Sequence, residues 1–292
     1  MRNFEELFAQ YNCNLDDAQV KAEVEQIIAK HFDENNNAEV WKQCLHQIDL
    51  TTLNGEDTDA KVIRMAQQVN AFPAQFPGIP NVAAICVYPA LVETVKRTLT
   101  QPIGIAACCA GFPASQTFIE VKVAETALAV HAGASEIDVV ISIGKMLEGK
   151  YDEVYDELCE IRAAARNAHL KVILETGALK SASLIKKASI IAMQAEADFI
   201  KTSTGKIPVA ATLEAAYVMC QAIKEWYEKT GIKVSFKPAG GIATTEDAVK
   251  YYTIVKEVLG PDWLNNENFR FGASRMANNL LSSIVGKETK WF

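Results

Sequence analysis

Short apolar segments alternate with longer amphipathic segments along most of this chain, and that alternation limits the folds it can adopt. The short segments are rich in Val, Ile and Phe, which favour strands, and they occupy Cys44–Leu50, Val82–Tyr88, Ile103–Cys108, Glu136–Ile141, Lys171–Thr176, Phe199–Ser203, Lys233–Lys237 and Phe269–Gly272. Segments of amphipathic helical character lie between them, for example at Thr117–His131, Tyr151–Ala168, Ser183–Ala195, Thr212–Lys229 and Thr245–Leu259. Strands joined by crossover helices are parallel.

Eight predicted strands, each followed by a helix, in about 250 residues predict an α/β protein with a (β/α)8 TIM barrel. A doubly wound open sheet is the alternative, because periodicity does not separate the two. We assign residues 41–292 to the barrel and residues 1–40 to an N-terminal helical extension. In that extension Asp16 and Asp17 can cap a helix that runs to about His31, before a polar break at Asn35–Asn37.

The charge balance argues against several kinds of partner. The chain has 29 Lys and Arg against 36 Asp and Glu, a formal net charge of −7, whereas nucleic-acid binding needs a basic surface. A local basic pocket for a small anion is compatible with that balance. The acidic N-terminus does not resemble a signal peptide, and no apolar run reaches membrane-spanning length. Seven scattered cysteines without a Cys-x-x-Cys motif indicate a reducing compartment, so we expect a cytoplasmic protein.

Two lysines end neighbouring predicted strands, Lys201 in the segment FIKTSTGK and Lys237 in the segment SFKPAGG. A lysine in an apolar strand gives up the hydration of its ammonium group, which costs free energy unless the charge is used. A desolvated lysine beside a second cation loses its proton more easily, and a neutral amine can attack a carbonyl carbon to form a Schiff base. The pair therefore indicates covalent carbonyl chemistry, but the residues alone do not tell which lysine is the nucleophile.

Catalytic groups of a barrel lie at the C-terminal ends of its strands. The predicted strand ends carry Asp49, Cys86, Asp138, Glu175, Lys201, Lys237 and Gly272. Asp138 and Lys237 can share a proton or bridge through a water molecule. A buried ion pair that only balances two charges is an equally good interpretation of these two residues.

Glycine-rich turns after the last three predicted strands indicate a phosphate site. The candidates are Gly205, Lys206, Gly240, Gly241, Gly272 and Ser274. The last two loops of a barrel often bind phosphate through backbone amides and a helix N-terminus, although a single glycine is more often only a turn. The spacing around Gly205 and Lys206 does not match a P-loop, so we reject an NTPase.

The histidine and cysteine residues of the sequence give little indication of metal or redox chemistry. The four histidines, His31, His46, His131 and His169, show no metal-ligand spacing, so we expect neither a metal nor a cofactor. We interpret Cys108 and Cys109 as small core residues.

Seven segments, in this order, resemble the deoxyribose-phosphate aldolase family of class I aldolases, which have a (β/α)8 barrel. They are DLTTLN (Asp49–Asn54), AAICVYP (Ala83–Pro89), EIDVV (Glu136–Val140), KVILETG (Lys171–Gly177), FIKTSTGK (Phe199–Lys206), FKPAGGI (Phe236–Ile242) and FRFGAS (Phe269–Ser274). The resemblance does not cover residues 1–40.

The resemblance implies reversible cleavage of 2-deoxy-D-ribose 5-phosphate to acetaldehyde and D-glyceraldehyde 3-phosphate. It implies that Lys201 forms the Schiff base, that the Lys237 cation helps Lys201 to lose its proton, and that Asp138 transfers protons with Lys237 and a water. The implied substrate contacts are Asp49, Thr51, Leu53, Cys86 and Thr204. The alternatives are a Schiff-base aldolase for another sugar phosphate and a non-catalytic scaffold relative. The expected partners are small phosphorylated aldehydes and sugars, with a homodimer left open.

Three positions depart from the family pattern. Ala243 stands where the family usually has Arg after the Gly-Gly pair, and Arg275 stands where it usually has a second Ser. We expect the guanidinium of Arg275 to replace the one lost at position 243 at the phosphate site, and the alternative is that Arg275 only points to solvent. The chain ends at Phe292, which lacks the hydroxyl of the tyrosine that ends some family members.

Overall fold

Eight parallel strands form the centre of the protein, in a computed structural model that describes residues 3–292. They follow one another in sequence order around the sheet, and β8 pairs with β1. The strands are β1 (Ile48–Thr51), β2 (Ala84–Val87), β3 (Gly104–Cys109), β4 (Glu136–Val140), β5 (His169–Ile173), β6 (Phe199–Lys201), β7 (Ser235–Lys237) and β8 (Phe271–Ala273).

The sheet closes on itself where β7 meets β8. Arg270 N donates a hydrogen bond to Phe236 O at 3.0 Å, and Gly272 N donates to Pro238 O at 2.9 Å. A doubly wound sheet would keep two separate edges and a reversal in strand order. Because both edges meet here and the order is sequential, the predicted (β/α)8 barrel is confirmed and the open-sheet alternative is wrong.

Helices occupy the connections between strands and surround the barrel. They are α1 (Phe4–Ala9), α2 (Asp17–Asn35), α3 (Ala38–His46), α4 (Asp59–Gln75), α5 (Val92–Thr98), α6 (Ile119–Ala132), α7 (Ile143–Leu147), α8 (Tyr151–Ala165), α9 (Thr176–Leu179), α10 (Ala182–Gln194), α11 (Leu213–Thr230), α12 (Thr245–Leu259) and α13 (Arg275–Val285). Within residues 3–292, no helix has the length and apolar character needed to cross a bilayer. The main core lies between the strands and these helices, where Ile137, Val172 and Ile200 are fully buried.

The first two helices pack on the outside of the barrel. Asp16 caps α2 by accepting a hydrogen bond from Ala18 N at 2.8 Å, and the helix continues past His31 to Asn35. The side chain of Asn35 is buried and donates to His31 O at 2.9 Å, which helps to explain why the helix ends later than expected. The ring of Tyr11 stacks on Trp226, with centroids 6.0 Å apart. The division into an extension (1–40) and a barrel (41–292) stays a prediction.

The predicted strand Cys44–Leu50 is wrong in its first half. Cys44 belongs to α3, and β1 begins only at Ile48. The side chain of Asn37 caps α3 by accepting hydrogen bonds from the amides of Glu39 and Val40. Val40 and Cys44 then lie one helical turn apart on the buried face, so the apolar residues before β1 follow a helical period.

Candidate active site

Lys201 and Lys237 end adjacent strands and contact the same carboxylate. They are direct partners in the register of β6 and β7, so their side chains leave the sheet on the same face. Lys201 Nζ and Lys237 Nζ each donate to Asp138 Oδ2 at 2.8 Å. Asp138 is fully buried, and its Oδ1 accepts no hydrogen bond from the described residues although Lys171 Nζ lies 3.2 Å away. The three residues expected to be catalytic therefore form one contact group.

The two lysines differ in how many carboxylates hold them. Lys237 also donates to Asp49 Oδ2 and is fully buried. Burial alone would lower the pKa of Lys237, but attraction to Asp138 and Asp49 outweighs burial and holds this pKa well above its usual value. Among residues 3–292, Lys201 has Asp138 as its only carboxylate partner, and it lines an open cleft. One lysine is thus held as a cation, and the other is placed where a substrate can reach it.

A further layer of charges, which sequence reasoning missed, supports these groups inside the barrel. Lys171 Nζ lies 3.1 Å from Asp49 Oδ2 and also contacts Glu136 Oε2. Arg270 donates to Asp49 Oδ1 at 2.7 Å and to Glu136 Oε1 at 3.1 Å. The sequence does indicate two of these residues. Glu136 and Lys171 alternate with aliphatic residues along their strands, and in a barrel strand every second side chain points inward.

Pairing decides the charge state of these buried groups. Burial raises the pKa of Asp138, but three nearby lysines outweigh it and hold the pKa well below its usual value. Burial also raises the pKa of Asp49, but the positive charges of Lys171, Lys237 and Arg270 lower it more strongly. The pKa of Asp49 therefore lies below its usual value. For Lys171 and Arg270, burial acts to lower the pKa and the neighbouring carboxylates raise it above the usual value. These two carboxylates and Lys171, Lys237 and Arg270 are therefore charged at neutral pH.

A small apolar cluster fills the barrel beside the charges. Cys86 of β2 packs with Leu53, Ala106 and Cys108, and its Sγ lies 3.7 Å from the Sγ of Cys108. Potential ligand atoms of Cys86, Cys108 and Asp138 lie within 4.8 Å of one another. The lysines around Asp138 oppose a metal cation at that point, since like charges repel.

A cleft of about 210 Å³ opens above Lys201 at the C-terminal ends of the strands. Besides Lys201, its lining includes ten residues that the sequence indicated: Thr51, Leu53, Thr204, Gly205, Lys206, Gly240, Gly241, Gly272, Ser274 and Arg275. The other four candidates, Asp49, Cys86, Asp138 and Lys237, are fully buried and do not line the cleft. Lys201 is therefore the charged group through which the buried cluster reaches the cleft.

The loop after β6 is fixed by Glu175, a strand-end candidate. Thr204 Oγ1 donates to Glu175 Oε2 at 2.5 Å, and Thr204 N donates to Glu175 Oε1 at 3.2 Å. Lys206 N donates back to Thr204 Oγ1 at 3.0 Å, while Lys206 Nζ contacts the carbonyl oxygen of Leu53. This network holds Thr204 and Lys206 at the edge of the cleft.

Two positions that line the cleft require glycine, because neighbouring atoms lie too close to leave room for a Cβ atom. Gly240 has a φ of +82°, and a Cβ there would lie 2.9 Å from Gly205 Cα. A Cβ on Gly272 would lie 2.6 Å from Ala239 Cβ and 3.3 Å from Lys237 Cε. Gly240 therefore lets two loops approach, and Gly272 leaves space for the buried lysine.

The two positions that depart from the family pattern lie in different surroundings. Arg275 is the first residue of α13, lines the cleft, and has no ion-pair partner among residues 3–292. Ala243 lies outside the cleft lining, and its N donates to Asp247 Oδ2 at 3.2 Å at the start of α12. Arg275 thus lies at the cleft without a carboxylate partner among the described residues, whereas the backbone amide of Ala243 contacts Asp247 at the start of α12.

The last two residues pack against α4 and α13. The ring of Phe292 stacks on Phe72 with centroids 5.1 Å apart, and Trp291 contacts Phe76 edge-on at 5.4 Å. Asn278 Oδ1 accepts hydrogen bonds from the amides of both residues, at 2.8 and 2.9 Å. The tail is therefore held beside the cleft by defined contacts.

Comparison with known proteins agrees with this geometry. A family model described as DeoC/LacD family aldolase matches residues 44–256, a span that includes both lysines and Asp138. The chain belongs to this aldolase family.

Individual relatives cover most of the chain. Human deoxyribose-phosphate aldolase is 44% identical over 249 residues, which cover 81% of this chain and 78% of the relative. The bovine enzyme of the same name is 45% identical over the same length and with the same coverage. The tetrameric deoxyribose phosphate aldolase of Aeropyrum pernix shares the fold, with a TM-score of 0.66 and 22% identity over 88% of this chain and 96% of that one.

Replacement of Asp49 tests how strongly the barrel depends on its buried charges. We expect Asp49→Asn to lower the free energy of unfolding at pH 7 by about 3–5 kcal/mol, because it leaves buried cations without their partner. The pKa of Asp49 is lowered on folding, so its contribution is complete at neutral pH and is lost as the pH falls below about 4. Denaturant titrations at several pH values would measure both effects.

Glu93→Gln is the matched control, because the ion pair of Glu93 with Arg97, at 3.8 Å, is exposed to solvent. This variant should leave stability unchanged. Equal stability of Asp49→Asn and wild type would show that the buried pairs are dispensable.

Proposed function

We propose that this protein is a class I aldolase that reversibly cleaves 2-deoxy-D-ribose 5-phosphate to acetaldehyde and D-glyceraldehyde 3-phosphate through a Schiff base on Lys201. The main support for the proposal is that the two adjacent lysines differ in their contacts. Lys237 contacts two carboxylates, whereas Lys201 contacts one and lines the cleft. Membership of the aldolase family supports the reaction type, and the human and bovine relatives support the substrate by their names.

The first step uses Lys201 as the nucleophile. Its neutral amine adds to the C1 carbonyl carbon of the sugar, and loss of water from the adduct gives an iminium ion. Asp138 Oδ2, at 2.8 Å from Lys201 Nζ, is placed to accept the amine proton and then to stabilise the positive iminium nitrogen. Lys237 remains protonated beside the same oxygen and keeps Asp138 ionised.

The iminium then accepts the electrons of the bond that breaks. Removal of the proton from the C3 hydroxyl lets the C2–C3 electron pair move towards the iminium, which releases glyceraldehyde 3-phosphate and leaves an enamine on Lys201. Asp138 supports a role in these proton transfers because its Oδ2 lies 2.8 Å from the reacting Lys201 Nζ. Protonation of the enamine at C2 and hydrolysis release acetaldehyde and restore the amine.

The phosphate is best accommodated at the end of the cleft formed by the last three strand loops. Gly205, Gly240 and Ser274 bring backbone groups to this end, and Lys206 and Arg275 add positive charge. The cleft therefore suits small phosphorylated aldehydes and sugars. A homodimer and a cytoplasmic location stay predictions.

The central test is the activity of a variant without the nucleophilic amine. We expect Lys201→Met to lower kcat for deoxyribose 5-phosphate cleavage by more than about 10⁴-fold, because the covalent route is lost. Coupled detection of glyceraldehyde 3-phosphate would measure it. Lys224→Met, at an exposed position of α11, is the control and should keep wild-type activity. Comparable activity of all three proteins would refute the proposed role of Lys201.

Replacement of Arg275 tests the phosphate end of the cleft. We expect Arg275→Ser to raise KM for deoxyribose 5-phosphate by about 10-fold or more, the effect of losing one charge-assisted hydrogen bond. KM for unphosphorylated deoxyribose should change little, because that sugar has no phosphate to contact the guanidinium. Steady-state kinetics with both sugars would decide, and equal changes for both would contradict a phosphate contact.

A further inference from the structure

The charges inside the barrel do not balance if every group is ionised. Three carboxylates, those of Asp49, Glu136 and Asp138, contact four basic side chains in one continuous network, and those are Lys171, Lys201, Lys237 and Arg270. One positive charge is in excess. The excess disappears if Lys201 is neutral, and Lys201 is the basic group of the network with one carboxylate contact and access to the cleft.

Two members of the network lie away from the cleft. Glu136 is the first residue of β4, two positions before Asp138, and contacts Lys171 and Arg270. Arg270 precedes β8 and reaches Asp49 at 2.7 Å. Neither side chain lines the cleft, so neither has a route to direct contact with a substrate there.

We propose that Glu136 and Arg270 are positioning residues that fix the net charge of the buried network, and that this charge keeps Lys201 available as a neutral nucleophile. The inference rests on the proposed function, because it concerns the same reacting amine. Its physical basis is that charges inside a barrel are weakly screened, so a charge one layer below Lys201 acts on its proton.

The sign of each effect follows from the charge that is removed. Glu136→Gln removes a negative charge, makes the network more positive and disfavours protonation of Lys201. Arg270→Gln removes a positive charge and favours that protonation. The acid limb of kcat/KM against pH reports protonation of the free enzyme's nucleophile, so the two variants should shift it in opposite directions.

Several other groups near Lys201 share the same field and are left unchanged in these variants. They are Asp49 on β1, Cys86 on β2, Cys108 on β3, Asp138 on β4, Lys171 on β5 and Lys237 on β7, with Glu175 and Lys206 in the loops above. Because they are common to every variant, a difference between profiles reports the charge that was changed.

The experiment is the pH profile of kcat/KM for deoxyribose 5-phosphate, with folding checked by circular dichroism. We expect the midpoint of the acid limb to move down by about one pH unit in Glu136→Gln and up by a similar amount in Arg270→Gln. The double variant Glu136→Gln/Arg270→Gln restores the net charge and should return the midpoint to the wild-type value. Shifts in the same direction, or no shift in folded single variants, would overturn the proposal.

Charge-conserving variants separate charge from packing. Glu136→Asp and Arg270→Lys should leave the midpoint in place even where kcat falls, and a shifted midpoint in either would also overturn the proposal. If one of the two charge-changing variants does not fold, the direction of the shift in the other decides the question. An inactive wild-type protein would instead refute the proposed function, so the two failures are distinguishable.

Discussion

Seven charged side chains share the interior of this barrel, and their mutual pairing is the condition on which the rest of the structure depends. An unpaired ion in such a place costs several kcal/mol, so each member requires its neighbours. Asp138 and Asp49 satisfy that requirement by contacting several cations each. Because the pairs join β1, β4, β5, β6, β7 and the residue before β8, the network also fixes the strands relative to one another.

The small residues of the barrel are a consequence of this charge cluster. Ala106 and Cys108 occupy interior positions on β3, and Gly272 on β8 leaves space beside the stem of Lys237. Large aliphatic side chains, which usually fill barrel interiors, would displace the charged groups. The apolar contribution to stability therefore lies mainly outside the sheet, between strands and helices. The charged groups of the interior position Lys201 beneath the cleft.

Sequence reasoning could predict the barrel, the lysines that end β6 and β7, and the glycine-rich loops, because alternation and turn residues are local signals. It was wrong to place Asp49 and Asp138 at strand ends, since they lie within β1 and β4. It could not predict that Cys44 belongs to a helix, since a short apolar run fits either structure until the Asn37 cap is considered. It also missed Arg270, whose partners Asp49 and Glu136 lie more than 130 residues away in the chain. The residues alone left the roles of Lys201 and Lys237 open, and only the family resemblance distinguished them; the contacts around Asp138 add that the two lysines have different numbers of carboxylate partners.

The most direct test of this account is to trap the covalent intermediate and locate it. Wild-type protein would be incubated with acetaldehyde, reduced with borohydride and digested, and the ethylated lysine would be identified by peptide mass spectrometry. Because Lys237 contacts two carboxylates and Lys201 contacts one, we expect an adduct confined to Lys201. An adduct on Lys237, or no adduct on the folded protein, would contradict it.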